Sequence, residues 1–342
     1  MLAAVLAGGQ VFADSIPTSV EGYEAQFADI DFYGKNVSGG NATGGDVTIS
    51  ASETGGTVRN VYGGYADGEN LAASGNKVTM NSGEVISSIY GGCIINAEVH
   101  GAASRNTVII KGGAVSSDVY GGKGVDVANG NVVILAGDCS VKNVYGGSCS
   151  YLHNEIKDNK VYLVGKGATA TIADAQGITS TYTGGEIKAA AQIDSNSIDI
   201  YGTGISALAL AFQSSEPCLN FHIVGAQAEE SAPMLTLKGR LSLKGMNMNL
   251  YGEATTDWSA FAGKSVTLIS NASTIVMGEG SLGDVEIKAA DGAVVATATL
   301  ALGNSNKSLV MSNIKGTAPV PEPTTGTLGL LALAGLCIRR RK

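Results

Sequence analysis

Six acidic residues lie in short polar segments between more regular stretches of the sequence, and they are the first candidates for chemistry. They are Asp67, Glu69, Glu98, Asp126, Glu155 and Asp158. Two carboxylates at a fixed separation can cleave a glycosidic bond, one as general acid and the other as base or nucleophile. Neither spacing nor a surrounding motif singles out a pair here. A polysaccharide hydrolase or lyase is therefore the alternative function, and a non-enzymatic one is preferred.

The cysteines and histidines point to no other kind of active site. The sequence has no Cys-x-x-Cys pair and no His-Glu-x-x-His segment, which argues against zinc, redox and metalloprotease chemistry. Cys139 and Cys149 flank one Tyr-Gly-Gly segment, and they are either a disulfide or two small buried thiols. His100, His153 and His222 are far apart in sequence and are predicted to be surface residues. We expect no cofactor, no metal and no catalytic residue.

Tyr-Gly-Gly recurs at intervals of 25 to 30 residues, and this repeat predicts how the chain is built. The copies are Tyr62-Gly63-Gly64, Tyr90-Gly91-Gly92, Tyr120-Gly121-Gly122 and Tyr145-Gly146-Gly147. An asparagine lies fourteen residues before each of the last three tyrosines, at positions 76, 106 and 131. The segment after each glycine pair varies in length. A fixed core that alternates with a variable loop is typical of a solenoid, whose strands stack in register while insertions collect on the surface.

Within the fixed core, apolar residues alternate with polar ones, as in Val78 and Met80 or Val161 and Leu163. This period of two predicts half-buried strands. A glycine then allows a turn, and a second strand reaches Val-Tyr. We expect Val61 in the core and the tyrosines outward or at a corner, stacked on one another. The glycine pair would lie where a Cβ would collide with the neighbouring coil.

The flanking sequence carries weaker copies of the repeat. Residues 31–49 resemble a first coil, residues 159–185 a fifth coil that ends at Tyr182-Thr183-Gly184-Gly185, and residues 196–202 part of a sixth. Alternation continues later and predicts strands at 219–224, 266–270, 284–289, 294–302 and 309–314, with a turn or bulge at Lys244-Gly245. Residues 207–212 fit either a strand or a short helix. We divide the chain into a solenoid at 14–205 and a β-rich continuation or capping domain at 206–314.

Arrays of Asn-x-Val followed by Val-Tyr-Gly-Gly are similar to the repeats of bacterial surface β-helix proteins, including adhesins and autotransporter passenger regions. The resemblance covers about residues 30–205. It implies an all-β, right-handed parallel β-helix or β-solenoid with a β-rich C-terminal extension. An antiparallel meander stays open, because strand direction is not visible in a sequence. We expect the variable loops at 65–75, 93–105, 123–130 and 148–158 to form a binding face for extracellular polysaccharide or another glycan.

The two ends of the chain are interpreted as targeting segments. Residues 1–13 form a partial signal peptide with cleavage after Ala13, since small residues occupy the −3 and −1 positions. The usual basic start is absent, so we expect the true start of the signal to lie upstream. A buried N-terminal strand is the alternative.

The C-terminal segment has three parts in a fixed order. Residues 315–323 form a Pro-rich linker that contains Pro321, Glu322 and Pro323, and an uncharged stretch at 324–338 predicts a short hydrophobic helix. The sequence ends with Arg339, Arg340, Arg341 and Lys342. We therefore interpret 324–342 as an anchor with a basic, cytoplasmic end.

This order resembles the PEP-CTERM sorting signal of Gram-negative bacteria. The resemblance implies transient anchoring in the inner membrane, processing by an exosortase near Pro321-Glu322-Pro323, and delivery to the cell surface, outer membrane or extracellular matrix. A plain tail anchor is the alternative.

Composition agrees with an exported β-protein. The chain of 342 residues has 48 glycines, only 15% charged residues and a formal charge of −8. Abundant glycine with Val, Ile, Thr and Ser favours strands and turns. The excess of carboxylates argues against nucleic acid as a partner, because phosphate binding needs clustered Lys and Arg.

Overall fold

A computed structural model describes residues 19–23, 31–51, 57–68, 70–94, 100–150, 155–213, 216–225, 232–253, 255–278 and 280–317. The predictions for residues 1–13, for the sorting residues 321–323 and 339–342, and for the hydrophobic helix in 324–342 lie outside these ranges. The described chain is almost entirely β-structure, with a 3-10 helix at Trp258–Phe261. The strands are β1 Ser19–Tyr23, β2 Phe32–Ser38, β3 Ala42–Thr43, β4 Asp46–Ala51, β5 Thr57–Val58, β6 Val61–Asp67, β7 Leu71–Ser74, β8 Lys77–Met80, β9 Glu84–Val85, β10 Ile89–Ile94, β11 Gly101–Ala102, β12 Thr107–Ile110, β13 Gly113–Gly124, β14 Val132–Leu135, β15 Gly137–Cys149, β16 Lys160–Val164, β17 Thr169–Ala173, β18 Thr179–Ser195, β19 Ser197–Tyr201, β20 Ile205–Phe212, β21 Cys218–Ile223, β22 Leu235–Leu237, β23 Leu241–Leu243, β24 Asn247–Gly252, β25 Val266–Asn271, β26 Ile275–Met277, β27 Gly283–Lys288, β28 Val294–Gly303 and β29 Ser308–Gly316.

Strands one repeat apart pair in parallel and in register. The strands that follow the repeat asparagines are β8, β12, β14, β16 and β19. With β4 before them and β21, β24 and β27 after them, they form one column, here called the first sheet. The tyrosine-bearing strands β2, β6, β10, β13 and β15 form another column. The predicted all-β, solenoid-like and mostly parallel architecture is confirmed. The meander is excluded for these strands.

The core lies between these columns and is built from stacked aliphatic residues. In the first sheet, Val78 pairs with Val108, which pairs with Val133, and all three are fully buried. Val61 and Ile89 are fully buried in the tyrosine-bearing column. The strands of the first sheet from β4 to β16 pair without a register shift. Each coil therefore stacks its apolar side chains on those at the same positions of its neighbours, and this burial drives folding.

A ladder of buried asparagines runs alongside this core. Asn76, Asn106, Asn131 and Asn159 have no solvent exposure. Each side-chain amide donates to a backbone carbonyl and to the Oδ1 atom of the next asparagine, over 2.7–3.0 Å, and the last acceptor is Asn196. The Oδ1 atoms of Asn106, Asn131, Asn159 and Asn196 also accept from the backbone N–H of the preceding ladder asparagine, and that of Asn76 accepts from the Gly45 N–H. The ladder therefore satisfies buried polar groups that would otherwise be costly.

The asparagine ladder explains the second glycine of each pair. A methyl group at Gly122 would lie 2.6 Å from both amide atoms of Asn131 and would also collide with the carbonyl oxygen of Ala103. The first glycine has a different reason: a methyl group at Gly121 would meet the carbonyl oxygen of Gly146 in the next coil. The predicted collision with the neighbouring coil is thus confirmed, and the asparagine side chain is its second source.

The predicted fifth coil begins at Asn159 as expected, since Asn159 lies in the asparagine ladder and β16 in the first sheet, but its predicted end at Tyr182 is wrong. Tyr182 belongs to a hairpin formed by the antiparallel pairing of β17 with the first part of β18. This hairpin packs its Ile172 and Tyr182 on the outer face of the first sheet, against Ile109 and Ile134. The residue that follows Tyr145 in the tyrosine-bearing column is Asp194 instead. Residues 165–183 are an insertion. Its amino-acid sequence resembles the repeat, but its strands pair antiparallel with each other and not in the tyrosine-bearing column.

The parallel stack continues past residue 205, through β20, β22 and β25 and through β21, β24 and β27. Residues 207–212 lie in strand β20, so the helical alternative is wrong. The five strands predicted after residue 206 and the turn at Gly245, which has φ +69°, are confirmed. Strands β28 and β29 then pair antiparallel with β27 and β25 and cover the end of the stack. The domain division near residue 205 remains a prediction.

Candidate functional site

The repeat tyrosines form a continuous stack on the outside of their sheet. Tyr33, Tyr62, Tyr90, Tyr120 and Tyr145 have successive ring centroids 4.8, 4.9, 5.1 and 4.8 Å apart. The planes of neighbouring rings differ by at most 10°. The stacking expected from the sequence is therefore present, and Tyr33 confirms the first coil.

The surroundings of the tyrosine stack favour structure over acid–base chemistry. The Tyr120 hydroxyl donates to Asp118 Oδ2 over 2.9 Å, and Lys123 Nζ lies 5.1 Å from the Tyr120 ring centroid. Burial raises the pKa of the Tyr62 and Tyr120 phenols, and it raises the pKa of the Cys93 thiol to about 12. These groups stay protonated near neutral pH, so the thiol is inert and the rings act through stacking. Any functional role of the repeat residues beyond this stays a prediction.

The variable loops are less free than predicted. Parts of two of them form the short strands β7 and β11, which pair in parallel in a small stack that begins with β3. Ala42, Ala66, Ala73 and Ile94 are buried beneath these strands as a small satellite core. The expectation that 65–75 and 93–105 are surface loops throughout is therefore wrong for β7, β11 and the ends of β6 and β10.

Two of the candidate loop acids have local partners in the structure. Asp126 accepts from the Gly101 N–H over 2.8 Å and lies 2.7 Å from His100 Nδ1. Burial opposes ionisation, but these hydrogen bonds outweigh it and lower the pKa of Asp126. Glu155 forms an ion pair with Lys157 over 3.2 Å. Glu69 and Glu98 lie outside the described ranges. The carboxylates of Asp126 and Glu155 are thus each engaged by neighbouring groups.

Cys139 and Cys149 are both free thiols. They lie at opposite ends of β15, and Cys139 is buried in the main core beside Val115 and Val141. Their positions on one strand separate the two sulfurs, so the disulfide interpretation is not supported and the buried-thiol interpretation fits Cys139.

His222 corrects another prediction, because it is not an isolated surface residue. Its ring stacks between Tyr201 and Tyr251, with centroids 3.9 and 5.0 Å away. Its Nε2 atom lies 2.9 Å from Asp199 Oδ1, and only 21% of the side chain is exposed. Asn220 donates to the same carboxylate oxygen over 3.0 Å. No motif in the sequence marks this site, because residues 201, 222 and 251 share one register position only once their three strands are paired.

A groove lies beside this second aromatic stack. Its floor is Tyr201, His222 and Tyr251, its wall is the hairpin strand at residues 169–171, and its volume is about 640 Å³. A second hollow of about 460 Å³ adjoins it and shares Tyr201 and Thr171. Together they run along the outer face of the first sheet.

Comparison with protein families identifies the C-terminal segment. Residues 319–342 match the PEP-CTERM protein-sorting motif. The PEP-CTERM motif indicates an exported, cell-surface-directed bacterial protein that an exosortase processes. The predicted sorting signal is therefore confirmed as a motif. No curated protein and no solved structure matches the chain.

The described ranges contain neither a candidate metal site nor a candidate membrane-spanning helix. No cluster of three or more His, Cys, Asp or Glu side chains in them is arranged to hold a metal ion. None of the helices in the same ranges is both long and apolar enough to cross a bilayer.

Asp194, at the end of the tyrosine stack, predicts a pH dependence of stability. Its carboxylate is 7% exposed and accepts from Gln213 over 2.8 Å, while its Oδ1 atom has no protein partner. Burial raises the pKa of Asp194 in spite of the hydrogen bonds from Gln213 and Gln192. A raised folded-state pKa gives stability that is complete below the unfolded value of 3.8 and is lost as the pH rises through the folded-state value.

We expect Asp194→Asn to gain stability relative to the wild type as the pH rises from 3 toward 7, because asparagine has no charge to bury. Urea unfolding at several pH values would measure this difference. A difference that is constant across that range would contradict the prediction.

Proposed function

We propose that the protein is a right-handed, non-enzymatic β-solenoid, adhesin-like or structural, that is displayed on the outside of a Gram-negative cell. The observation that carries this proposal is the in-register stack itself. Each of these repeated positions has a structural partner in the next coil: valine on valine, asparagine on asparagine and tyrosine on tyrosine. These contacts explain why the same residue types recur in each coil: they stack the coils into a rigid rod.

The PEP-CTERM motif supports the location in this proposal. In the proposed route, the apolar segment at 324–338 anchors the exported chain transiently in the inner membrane. The basic residues 339–342 stay on the cytoplasmic side. An exosortase then acts near Pro321-Glu322-Pro323, and the rod reaches the outer membrane surface or the extracellular matrix.

The sorting step can be tested with the full chain in a Gram-negative host that carries an exosortase. Replacing residues 321–323 together by alanine is expected to leave the chain in the inner-membrane fraction with its tail attached. Glu286→Ala, on an exposed strand position, is the matched control and is expected to reach the surface. Surface delivery of the triple variant at the wild-type level would count against this route.

The adhesin-like role has its own test. The exposed parts of the variable loops are exchanged for Gly-Ser segments of equal length, and binding of whole cells to immobilised glycans and matrix proteins is measured. Binding that is unchanged by every exchange would argue against a binding face on the loops, and no binding by wild-type cells would argue for a purely structural role.

The pairing of Asp199 with His222 favours a polysaccharide hydrolase or lyase as the second candidate function. A carboxylate that orients an imidazole is an arrangement that general acid–base catalysis uses. This candidate predicts new reducing ends or unsaturated products when the purified protein is incubated with polysaccharides. Their absence across neutral and acidic polymers would leave the non-enzymatic proposal in place.

A further inference from the structure

The outward-facing positions of the first sheet change character along the stack. Under the hairpin they are apolar, and Ile109 and Ile134 are covered by Ile172 and Tyr182. In the following coils the same outward positions carry polar and aromatic residues. One row is formed by Asp199, Asn220 and Asn249, and the neighbouring row by Tyr201, His222 and Tyr251.

The two rows are ordered by hydrogen bonds and ring contacts before any ligand binds. Asn249 donates to Asn220 over 2.9 Å, and Asn220 donates to Asp199 over 3.0 Å. The rings of the second row stack on one another and line the groove, and Asp199 Oδ1 holds His222 Nε2 at 2.9 Å. A site with a fixed side-chain geometry loses little conformational entropy on binding.

The shape of the groove suits an elongated ligand. The hollow of about 640 Å³ and the adjoining one of about 460 Å³ meet at Tyr201 and Thr171. Each is within the range that small-molecule sites occupy, and both combine aromatic side chains with a few polar groups. Joined end to end, they accommodate a chain of several units better than one compact molecule.

The chemistry of the floor and lining selects the ligand class. The strands beneath the floor, β19, β21 and β24, are already paired with each other, so an extended peptide could not add there as a further strand. Amides, phenols and an imidazole remain, and these are donors and acceptors suited to hydroxyl groups. Among the described lining residues, the larger hollow has the carboxylates Glu253 and Asp291 and no lysine or arginine, and the smaller has Asp158 and Asp174 beside one lysine, Lys160. This charge disfavours anionic polymers.

We propose that this groove binds a neutral saccharide chain that lies along the outer face of the first sheet. The inference rests on the proposed display outside the cell, where such polymers are met. It places the recognition surface on the sheet and its hairpin and not on the variable loops.

The test uses the full purified chain and isothermal titration calorimetry with four neutral probes, the hexasaccharides of cellulose, mannan, xylan and starch. Hexagalacturonate is the anionic comparison. At least one neutral probe is expected to bind, and Tyr251→Ala is expected to weaken its binding by about tenfold. His222→Phe keeps an aromatic ring in the stack, and its expected loss of affinity isolates the polar nitrogens.

Tyr145→Ala is the matched control, because Tyr145 stacks at the end of the other aromatic column. It is expected to bind as the wild type does, and circular dichroism confirms that each variant is folded. Failure of all neutral probes to bind, preference for hexagalacturonate, or an equal loss in Tyr145→Ala would overturn the proposal. If the protein reaches the cell surface but binds no neutral probe, the groove proposal is overturned and the proposed display outside the cell stands. Binding accompanied by new reducing ends supports the groove but removes the non-enzymatic function.

Discussion

Replacing Asn131 by alanine is expected to lower the free energy of unfolding by about 4 kcal/mol, because several buried groups lose their partner at once. The carbonyl of Ala103 loses a donor at 2.9 Å. The backbone N–H and the side-chain amide of Asn106 each lose an acceptor at 3.0 Å. None of these groups lies where water can replace the missing atom, since Asn106 and Asn131 have no exposure. Urea unfolding followed by circular dichroism measures the loss.

Asn81→Ala is the matched control for this prediction. Asn81 is exposed, and its side chain donates to Ser50 Oγ over 2.9 Å. A change below about 1 kcal/mol is expected there, because water replaces the lost partner. Equal destabilisation by the two substitutions would show that burial of the ladder contributes nothing.

Adding one methyl group at Gly122 is expected to cost about 3 kcal/mol, by overpacking rather than by loss of a bond. The methyl carbon would lie 2.6 Å from the side-chain nitrogen of Asn131, and it would also collide with the carbonyl of Ala103. The hydrogen bonds of the ladder hold both Asn131 and Ala103 in place, so neither can move away to relieve the collision. The urea midpoint of Gly122→Ala relative to the wild type measures this cost.

Gly225→Ala is the comparison, because a methyl group there would meet open space. It is expected to leave the unfolding midpoint nearly unchanged. A Gly122→Ala protein as stable as Gly225→Ala would mean that the second glycine of the repeat has some reason other than space.

The solenoid was predictable because its repeat is strict where the strands stack. Val78, Val108 and Val133 share a spacing from their asparagines, and the structure pairs them directly. In the sequence, the asparagines show only that the copies of the repeat share one spacing. Their role could not be derived, because an amide that bonds to the next coil needs the register and the burial, and neither is visible before the coils are stacked.

The wrong predictions share a physical cause: a short sequence motif does not show which strands pair or in which register. Tyr182-Thr183-Gly184-Gly185 resembles the repeat, yet the antiparallel pairing of β17 and β18 removes it from the column. His222 is far from Tyr201 and Tyr251 in sequence, and only the strand pairing brings the three rings together. The groove beside them depends on the same hairpin and was equally hidden.

The asparagine ladder also bears on how such a molecule can change its size. From Asn76 to Asn159, the side-chain amide of each coil donates a hydrogen bond to the Oδ1 atom of the asparagine in the next coil. One face of each coil therefore carries a donor and the opposite face the matching acceptor. A duplicated coil would therefore fit between its parents without any new contact having to evolve. Internal gene duplication then lengthens the molecule in steps of about 4.8 Å, the distance between adjacent strands. The terminal β28 and β29 still close whatever length results.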